Sequence, residues 1–236
     1  MAKEERNFNR RYANEYRWLR KMFFMSFLYI VVYGFYTIFY DYKIEGRENL
    51  PKKMKNRGKC IYAANHVSIF DPPMVVMAAN CPIAFMAKKE LFNPKEKLSW
   101  LIKRLGAFAV DRSKPEIATF KTVKDIVKGT DWSLGIFPEG GTRTYGKLEG
   151  IKKGFAEIAK FAKADIVPIA IAEWTGYPKL RPFTRKHVVI RIGKPISYKL
   201  SDEEIMYQWA EQICSMADYE NCVPKTNTES IELQNA

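Results

Sequence analysis

Two short segments hold the residue types from which an active site could be built. His66 is followed five residues later by Asp71, and residues 137–143 read Phe-Pro-Glu-Gly-Gly-Thr-Arg. Histidine ordinarily titrates near pH 6.5 and is the commonest general base at neutral pH. Glycine-rich turns let backbone N–H groups approach an anion, and arginine binds two phosphate oxygens at once. The two segments predict a base that activates a hydroxyl beside a phosphate site.

Asp71 has two possible roles. Residues five apart on a continuous helix lie about 140° apart around the axis, so His66 and Asp71 would not share a face. Pro72 disfavours helical geometry in the residue before it, so the loop can fold back and bring the carboxylate to the imidazole. The alternative is that Asp71 caps a helix that begins at Pro72. The two roles do not exclude each other.

The second segment also has two interpretations, a phosphate cradle or a tight turn that ends in a solvated arginine. As a cradle it predicts a substrate-phosphate site made of Glu139, Gly140, Gly141, Thr142 and Arg143. Lys88 and Arg112 each follow the end of an apolar strand, where ligands bind in α/β folds. We expect both to be further substrate-binding candidates.

From residue 41 onward, short apolar segments alternate with amphipathic ones, which is typical of an α/β domain. The pattern predicts strands at 60–64, 83–87, 107–110, 133–137, 166–172 and 188–192. It predicts helices at 74–79, 115–128, 154–162 and 201–219, the last opened by a Ser-x-x-Glu capping box. We expect one catalytic domain at residues 44–222, with a mixed central sheet flanked by helices, and a polar, disordered tail at 223–236.

Residues 1–43 are predicted to anchor the chain in a membrane. Residues 22–40 carry no charge, and as a helix they would reach ~28 Å, close to the thickness of a bilayer core. Tyrosines recur on one face, and tyrosine favours the headgroup region. Both flanks are basic, so charge gives no orientation. We expect an in-plane or re-entrant helix; the alternatives are a span and a helix buried in a soluble core.

Composition narrows the partners. The net charge of +13 and the isoelectric point near 9.5 favour either nucleic acid or an anionic membrane surface. Named nucleic-acid motifs are missing and aromatic residues gather near the N-terminus, so the membrane is favoured and no nucleic acid is expected. Four scattered cysteines indicate a reducing, cytoplasm-facing compartment. Two histidines argue against a metal cluster, so no metal is predicted.

Four ordered blocks resemble the glycerolipid acyltransferases, and within them the bacterial branch that acylates 1-acyl-glycerol-3-phosphate. Residues 65–71 match the Asn-His-x4-Asp block, and 106–112, 137–140 and 166–170 are similar to the three blocks that follow it. The resemblance covers about residues 44–196. The family usually has Phe-Pro-Glu-Gly-Thr-Arg, so Gly141 is an additional residue here.

The resemblance implies an activity and roles for the site residues. His66 would deprotonate the free hydroxyl of lysophosphatidic acid, Asp71 would orient the imidazole, and Arg143 with the two glycines would bind the phosphate. The donor would be acyl-CoA or acyl carrier protein, the product phosphatidic acid, and no cofactor or cysteine would take part. Such donors imply a cell-membrane enzyme whose catalytic domain lies on the cytoplasmic face. The alternatives are acylation of glycerol-3-phosphate or another lysophospholipid, and a non-catalytic, basic peripheral membrane protein.

Overall fold

A computed structural model describes residues 10–51, 59–93, 95–111, 117–177 and 184–221. The strands are β1 (Tyr40–Glu45), β2 (Ile61–Ala64), β3 (Ile83–Lys88), β4 (Phe108–Val110), β5 (Ser133–Ile136), β6 (Lys147–Leu148), β7 (Ile166–Ala172), β8 (Lys186–Ile192) and β9 (Glu220–Asn221). The helices are α1 (Trp18–Phe39), α2 (Asp71–Ala79), α3 (Lys97–Arg104), α4 (Ile117–Gly129), α5 (Gly154–Ala162) and α6 (Asp202–Ala217). Short 3-10 turns lie at Ala13–Tyr16, Arg47–Asn49 and Lys89–Phe92.

The main sheet has seven strands in the order β1-β8-β7-β2-β5-β3-β4. Its neighbours are parallel except β7 and β8, which pair antiparallel, so β1 and β8 run against the other five. The predicted mixed α/β sheet is therefore confirmed. Because β2, β3, β5 and β7 run the same way, their carboxyl ends meet at one edge of the sheet, and the loops that follow them lie together.

The sequence predicted most of the sheet but missed several elements. The six predicted strands and four predicted helices are present, whereas β1, β6, β9 and α3 were not predicted. The predicted domain boundary after residue 43 falls inside β1, which pairs along its whole length with β8. Helix α6 ends at Ala217, two residues early, because Asp218 adopts a left-handed conformation with φ of 56°. The predicted tail at 223–236 lies outside the described residues.

Helix α1 docks on the domain along one face. Its buried residues recur every four positions, at Phe24, Leu28, Val32 and Tyr36, and a π-helical turn at Leu28–Val32 lies within this stretch. A repeat of four keeps a stripe on one side of a helix with 3.6 residues per turn. Helix α1 then runs directly into β1. The hydrophobic N-terminal segment is thus part of the same packed structure as the sheet.

The tyrosines of α1 differ from expectation. The Tyr29 hydroxyl lies 2.8 Å from Asn80 Oδ1, Tyr33 donates to the Met77 carbonyl at 3.2 Å, and Tyr36 donates to the Phe70 carbonyl at 2.7 Å. The prediction that these hydroxyls face lipid headgroups is wrong, because they bond to the domain instead. The spacing was recognised correctly, but a tyrosine face is equally suited to the polar backbone at the ends of α2.

The opposite face of α1 is exposed and apolar. Its exposed side chains include Trp18, Leu19, Met22, Ile30 and Ile38. The helix is long and apolar enough to cross a membrane, and 22% of its most apolar stretch is buried in the protein. That low burial contradicts the alternative of a helix enclosed in a soluble core.

The segment before α1 is also tied to the domain. The Tyr16 hydroxyl donates to the Gly106 carbonyl at 3.0 Å, and its ring packs edge-on against Trp132 with centroids 5.1 Å apart. Arg10 forms a 2.6 Å ion pair with Asp125 on α4. These contacts hold the start of α1 near the amino ends of β4 and β5.

Candidate active site

The centre of the site is a hydrogen-bonded pair, His66 and Asp71, in the loop between β2 and α2. His66 Nδ1 lies 2.7 Å from Asp71 Oδ2. The same oxygen accepts the backbone N–H groups of Val67 at 2.7 Å and Ser68 at 2.8 Å. The loop does fold back as expected. Asp71 starts α2 but makes no side-chain cap to it, so the carboxylate orients the loop and the imidazole.

Asp71 is fully buried, and its surroundings affect the charge of its carboxyl group. Burial raises the pKa of Asp71, while hydrogen bonds from His66, Ser68 and Val67 to the charged form act to lower it. Three N–H donors on one oxygen suit an ionised carboxylate. With Nδ1 engaged by Asp71, Nε2 of His66 is the ring nitrogen that can take a proton from a substrate.

The Phe137–Arg143 loop holds the backbone of His66 on both sides. The His66 N–H donates to Glu139 Oε1 at 2.7 Å, and the Arg143 N–H donates to the His66 carbonyl at 2.7 Å. The imidazole stacks on Phe137 with ring centroids 4.0 Å apart, and Phe137 in turn stacks on Phe85. The two sequence motifs therefore form one unit in which the second motif positions the histidine of the first.

Glu139 lies inside this unit with only 2% of its surface exposed. Burial raises the pKa of Glu139 to about 7, against the lowering effects of the His66 N–H and the positive charge of Arg143. An acidic group would repel a phosphate unless protonated, and this one is engaged with the His66 backbone. The geometry favours a positioning role for Glu139 over the predicted direct contact with phosphate.

The rest of the predicted phosphate segment lies at the surface. Gly140 has φ of +73°, a conformation that favours glycine, and a Cβ there would meet the Lys152 side chain at 3.3 Å. Thr142 and Arg143 are exposed, and Gly141 lies between them and the turn. The structure thus brings a further cation, Lys152, next to the turn at Gly140.

The other two predicted residues have different outcomes. Lys88 ends β3, forms a 3.8 Å ion pair with Glu90 and lines the cavity described below. Arg112 lies outside the described residues. Among the residues that the structure describes, no group of three or more histidine, cysteine or carboxylate side chains is placed to hold a metal ion.

An apolar cavity of about 330 Å³ leads away from His66 between α1, α2, α3 and β3. Its lining in the described chain is hydrophobic apart from His66 and Lys88. Helix α1 contributes Phe24, Phe27, Leu28 and Val32, and α3 contributes Leu98, Leu101 and Ile102. The sequence did not reveal this cavity, because the apolar residues of α1 match a lipid-facing helix equally well and α3 was not predicted.

A hydrogen-bonded histidine–aspartate pair at the carboxyl ends of the strands, next to an apolar cavity, is an arrangement typical of an enzyme that uses a general base. Comparison with known proteins makes the class specific. Residues 41–172 match the profile of the Acyltransferase family, and the chain belongs to that family, as its motifs indicated.

Its similarity to individual proteins extends over most of the chain. It is 31% identical to the 1-acyl-sn-glycerol-3-phosphate acyltransferase of Streptococcus pneumoniae, over 78% of this chain and 68% of that protein. It is 33% identical to the protein of that name from Saccharomyces cerevisiae, over 73% and 57%. The crystal structure of the 1-acyl-sn-glycerophosphate (LPA) acyltransferase PlsC from Thermotoga maritima aligns with a TM-score of 0.64 at 26% identity, over 84% and 80%.

Proposed function

We propose that this acyltransferase moves an acyl group from a thioester to the free hydroxyl of 1-acyl-glycerol-3-phosphate, which gives phosphatidic acid. The observation that carries the proposal is the 2.7 Å His66–Asp71 pair at the mouth of an apolar cavity. The names of the streptococcal and yeast relatives support the same acceptor. The donor is acyl-CoA or acyl carrier protein.

In the proposed mechanism His66 acts as the base. Its Nε2 takes the proton of the acceptor hydroxyl as the oxygen attacks the thioester carbonyl, and the buried Asp71 carboxylate stabilises the imidazolium that forms. The tetrahedral intermediate then collapses, the carbon–sulfur bond breaks, and the imidazolium returns its proton to the leaving thiolate. The hydroxyl itself is the nucleophile, so no acyl-enzyme and no metal or cofactor is needed.

The acceptor phosphate is proposed to bind at the exposed side of the Phe137–Arg143 loop. Arg143 supplies a bidentate guanidinium, Gly140, Gly141 and Thr142 supply the turn, and Lys152 adds charge beside Gly140. The backbone N–H of Arg143 is also bonded to the His66 carbonyl, so the distance between the phosphate site and His66 is fixed. Lys88 is proposed to contact substrate at the cavity mouth.

The apolar cavity is proposed to hold the hydrocarbon part of an acyl chain. The carbonyl group at the end of that chain would then lie at His66. Four residues of α1 line this cavity, so α1 is part of the substrate site as well as of the membrane anchor. A spanning α1 would have to leave the domain, which would break the Tyr33 and Tyr36 hydrogen bonds and open the cavity to water. We therefore favour an α1 that lies in the plane of the leaflet, with the catalytic domain at the cytoplasmic face of the cell membrane.

The decisive assay presents lysophosphatidic acid, glycerol-3-phosphate and lysophosphatidylcholine to the purified protein with each donor type in turn. Phosphatidic acid should form from lysophosphatidic acid, and His66→Ala should abolish it. Preferred turnover of either other acceptor would replace the proposed substrate. No turnover with any pair would leave only the non-catalytic, membrane-binding alternative.

Topology is tested separately. Cysteines introduced near residues 5 and 45 should react with a membrane-impermeant reagent from the same side of sealed vesicles. Labelling from opposite sides would show that α1 spans the bilayer.

A further inference from the structure

A second pocket, of about 300 Å³, lies between the start of α1 and the end of α3. Three arginines line it, Arg17, Arg20 and Arg104, together with Glu15, Leu19 and Phe23. It lies at the amino ends of the strands, opposite to His66, because Arg104 comes just before β4 begins, whereas Lys88 ends β3 and His66 follows the end of β2. The six residues of β3 alone separate the two edges by ~20 Å. The pocket is therefore not the predicted phosphate site.

Among the described residues, the lining of this pocket carries more positive than negative charge. Across the described chain, none of its three guanidinium groups forms an ion pair. Glu15, the one acidic side chain in the described part of the lining, accepts hydrogen bonds from Arg11 at 2.8 Å and from the Tyr12 N–H at 3.1 Å. Burial lowers the pKa of Arg20, Tyr16 and Glu15 act to raise it, and the positive charges of Arg11 and Arg104 act to lower it through repulsion. An anion in the pocket would relieve this repulsion.

Aromatic rings hold two of the arginines in place. The Arg20 guanidinium lies 5.7 Å from the Tyr16 ring centroid, and the Arg104 guanidinium lies 5.3 Å from that of Trp100. Such cation–π contacts restrict a flexible side chain without using its N–H donors. The guanidinium donors of Arg20 and Arg104 thus stay available for phosphate oxygens.

The surface around the pocket is apolar and exposed. Trp18 and Leu19 are 68% and 73% exposed, and Trp100 on α3 is 58% exposed. Met22 and Phe23 extend the same surface along α1. Indole rings favour the level of lipid headgroups, and basic residues interleaved with such side chains are typical of a surface that lies in a membrane interface.

We propose that Arg17, Arg20 and Arg104 form a binding site for the phosphate of an anionic phospholipid in the leaflet, separate from the catalytic centre. The rim of Trp18, Leu19 and Trp100 would enter the interface while the arginines bind the headgroup. Helix α3 is thereby part of the membrane-contacting surface together with α1. The site would keep one end of the acyl cavity in contact with the membrane, namely the end that is remote from His66.

The test measures binding to sedimented vesicles, without acyl donor, of phosphatidylcholine alone and of phosphatidylcholine mixed with phosphatidylglycerol. The triple variant Arg17→Gln, Arg20→Gln, Arg104→Gln should bind the anionic vesicles about a hundredfold more weakly than the parent. This follows from ~1 kcal/mol for each basic residue near an anionic surface and 1.4 kcal/mol per factor of ten. Binding to phosphatidylcholine alone should change little.

A charge-matched control separates a defined site from a general effect of net charge. Lys124→Gln, Lys194→Gln and Lys199→Gln remove the same charge at exposed positions elsewhere. This control should lose much less affinity for anionic vesicles, and an equal loss would overturn the proposal. An unchanged affinity of the arginine triple variant would overturn it too. If the unfolding temperature of the arginine triple variant is lower than that of the parent, Arg17→Gln alone is used instead, because Arg17 is exposed. This single variant should still weaken binding about fivefold.

A last experiment distinguishes a lipid headgroup from a soluble anion as the ligand of this pocket. Inorganic phosphate titrated into the protein in neutral detergent should show no saturable heat that depends on the three arginines. Saturable, arginine-dependent binding of free phosphate would assign the pocket to a soluble ligand and overturn the lipid proposal. Because no donor or acceptor is present, these outcomes are independent of whether His66 catalyses acyl transfer.

Discussion

Replacing Glu139 by glutamine tests how the second motif supports the first. Glu139 is 2% exposed, and burial raises the pKa of its carboxyl from 4.5 to about 7. At ~1.4 kcal/mol per pH unit, that difference corresponds to about 3 kcal/mol of folding free energy. The carboxyl group stabilises the fold fully below pH 4.5, and this contribution is lost as the pH rises to about 7. Glutamine cannot ionise, so it removes this pH dependence.

The expected result is a change in relative stability with pH. The measured quantity is the unfolding free energy of Glu139→Gln minus that of the parent. This difference should rise by about 3 kcal/mol from pH 4.5 to pH values above 7. The value of the difference at low pH depends on how well the glutamine amide fits among the neighbours of residue 139. The change of the difference with pH does not depend on that fit. Urea unfolding followed by tryptophan fluorescence measures it, with Glu211→Gln at an exposed position as the matched control. A pH-independent difference between variant and parent would refute the buried, ionisable Glu139.

The same position makes a separate prediction for activity. The glutamine oxygen can still accept the His66 N–H, so Glu139→Gln should keep most of kcat. Glu139→Ala leaves that N–H without its partner, at a cost of about 1–3 kcal/mol, and kcat should fall roughly five- to a hundredfold. If both variants lost activity equally, or if the alanine variant mainly raised KM for the acceptor, Glu139 would be a substrate ligand and the positioning role would be wrong.

Three further variants test other parts of the site. Asp71→Asn keeps the shape but removes the charge that stabilises the imidazolium, so kcat should fall roughly ten- to a hundredfold, as for a charge-assisted hydrogen bond of about 1.5–3 kcal/mol; unchanged kcat would contradict the pair. Arg143→Ala should raise KM for lysophosphatidic acid by at least about tenfold and leave KM for the donor nearly unchanged, since a phosphate contact of this kind contributes about 1.5–3 kcal/mol; an unaltered acceptor KM would reject the phosphate role. Leu101→Phe narrows the cavity, and overpacking costs about 1–3 kcal/mol, so kcat/KM should fall roughly five- to a hundredfold for long acyl chains only; equal losses with short-chain donors would show that the cavity does not hold the chain.

Much of the fold was predictable because its signals are local. Apolar runs bounded by turn residues predicted the strands that carry His66 and the Phe137–Arg143 loop, and Ser201 with Glu204 forms the predicted capping box. Strand β1 was missed although aromatic or apolar residues alternate with charged ones at 40–45, because the alternation is short and no turn signal separates it from α1. Their strand character comes from pairing with β8, more than 140 residues later in the chain.

The tyrosines on one face of α1, Tyr29, Tyr33 and Tyr36, show where a correctly recognised spacing led to a wrong prediction of their environment. Its helical spacing predicted a single polar edge on α1, and such an edge exists. The hydrophobic effect is non-directional, and a hydroxyl accepts any partner of suitable geometry. Periodicity therefore shows that a face will be covered, and cannot show whether lipid or protein covers it.

The sequence by itself determined the family and the candidate residues, namely a histidine with a nearby carboxylate, a glycine-rich turn and the order of the family's blocks. Those properties depend on residue type and short spacing, which a linear chain states directly. Only the tertiary structure decided that Glu139 bonds to the His66 backbone 73 residues away, that α1 lines the cavity, and that Arg17, Arg20 and Arg104 share a pocket. Such contacts depend on how the sheet orders its strands and where the helices pack, which no local pattern encodes.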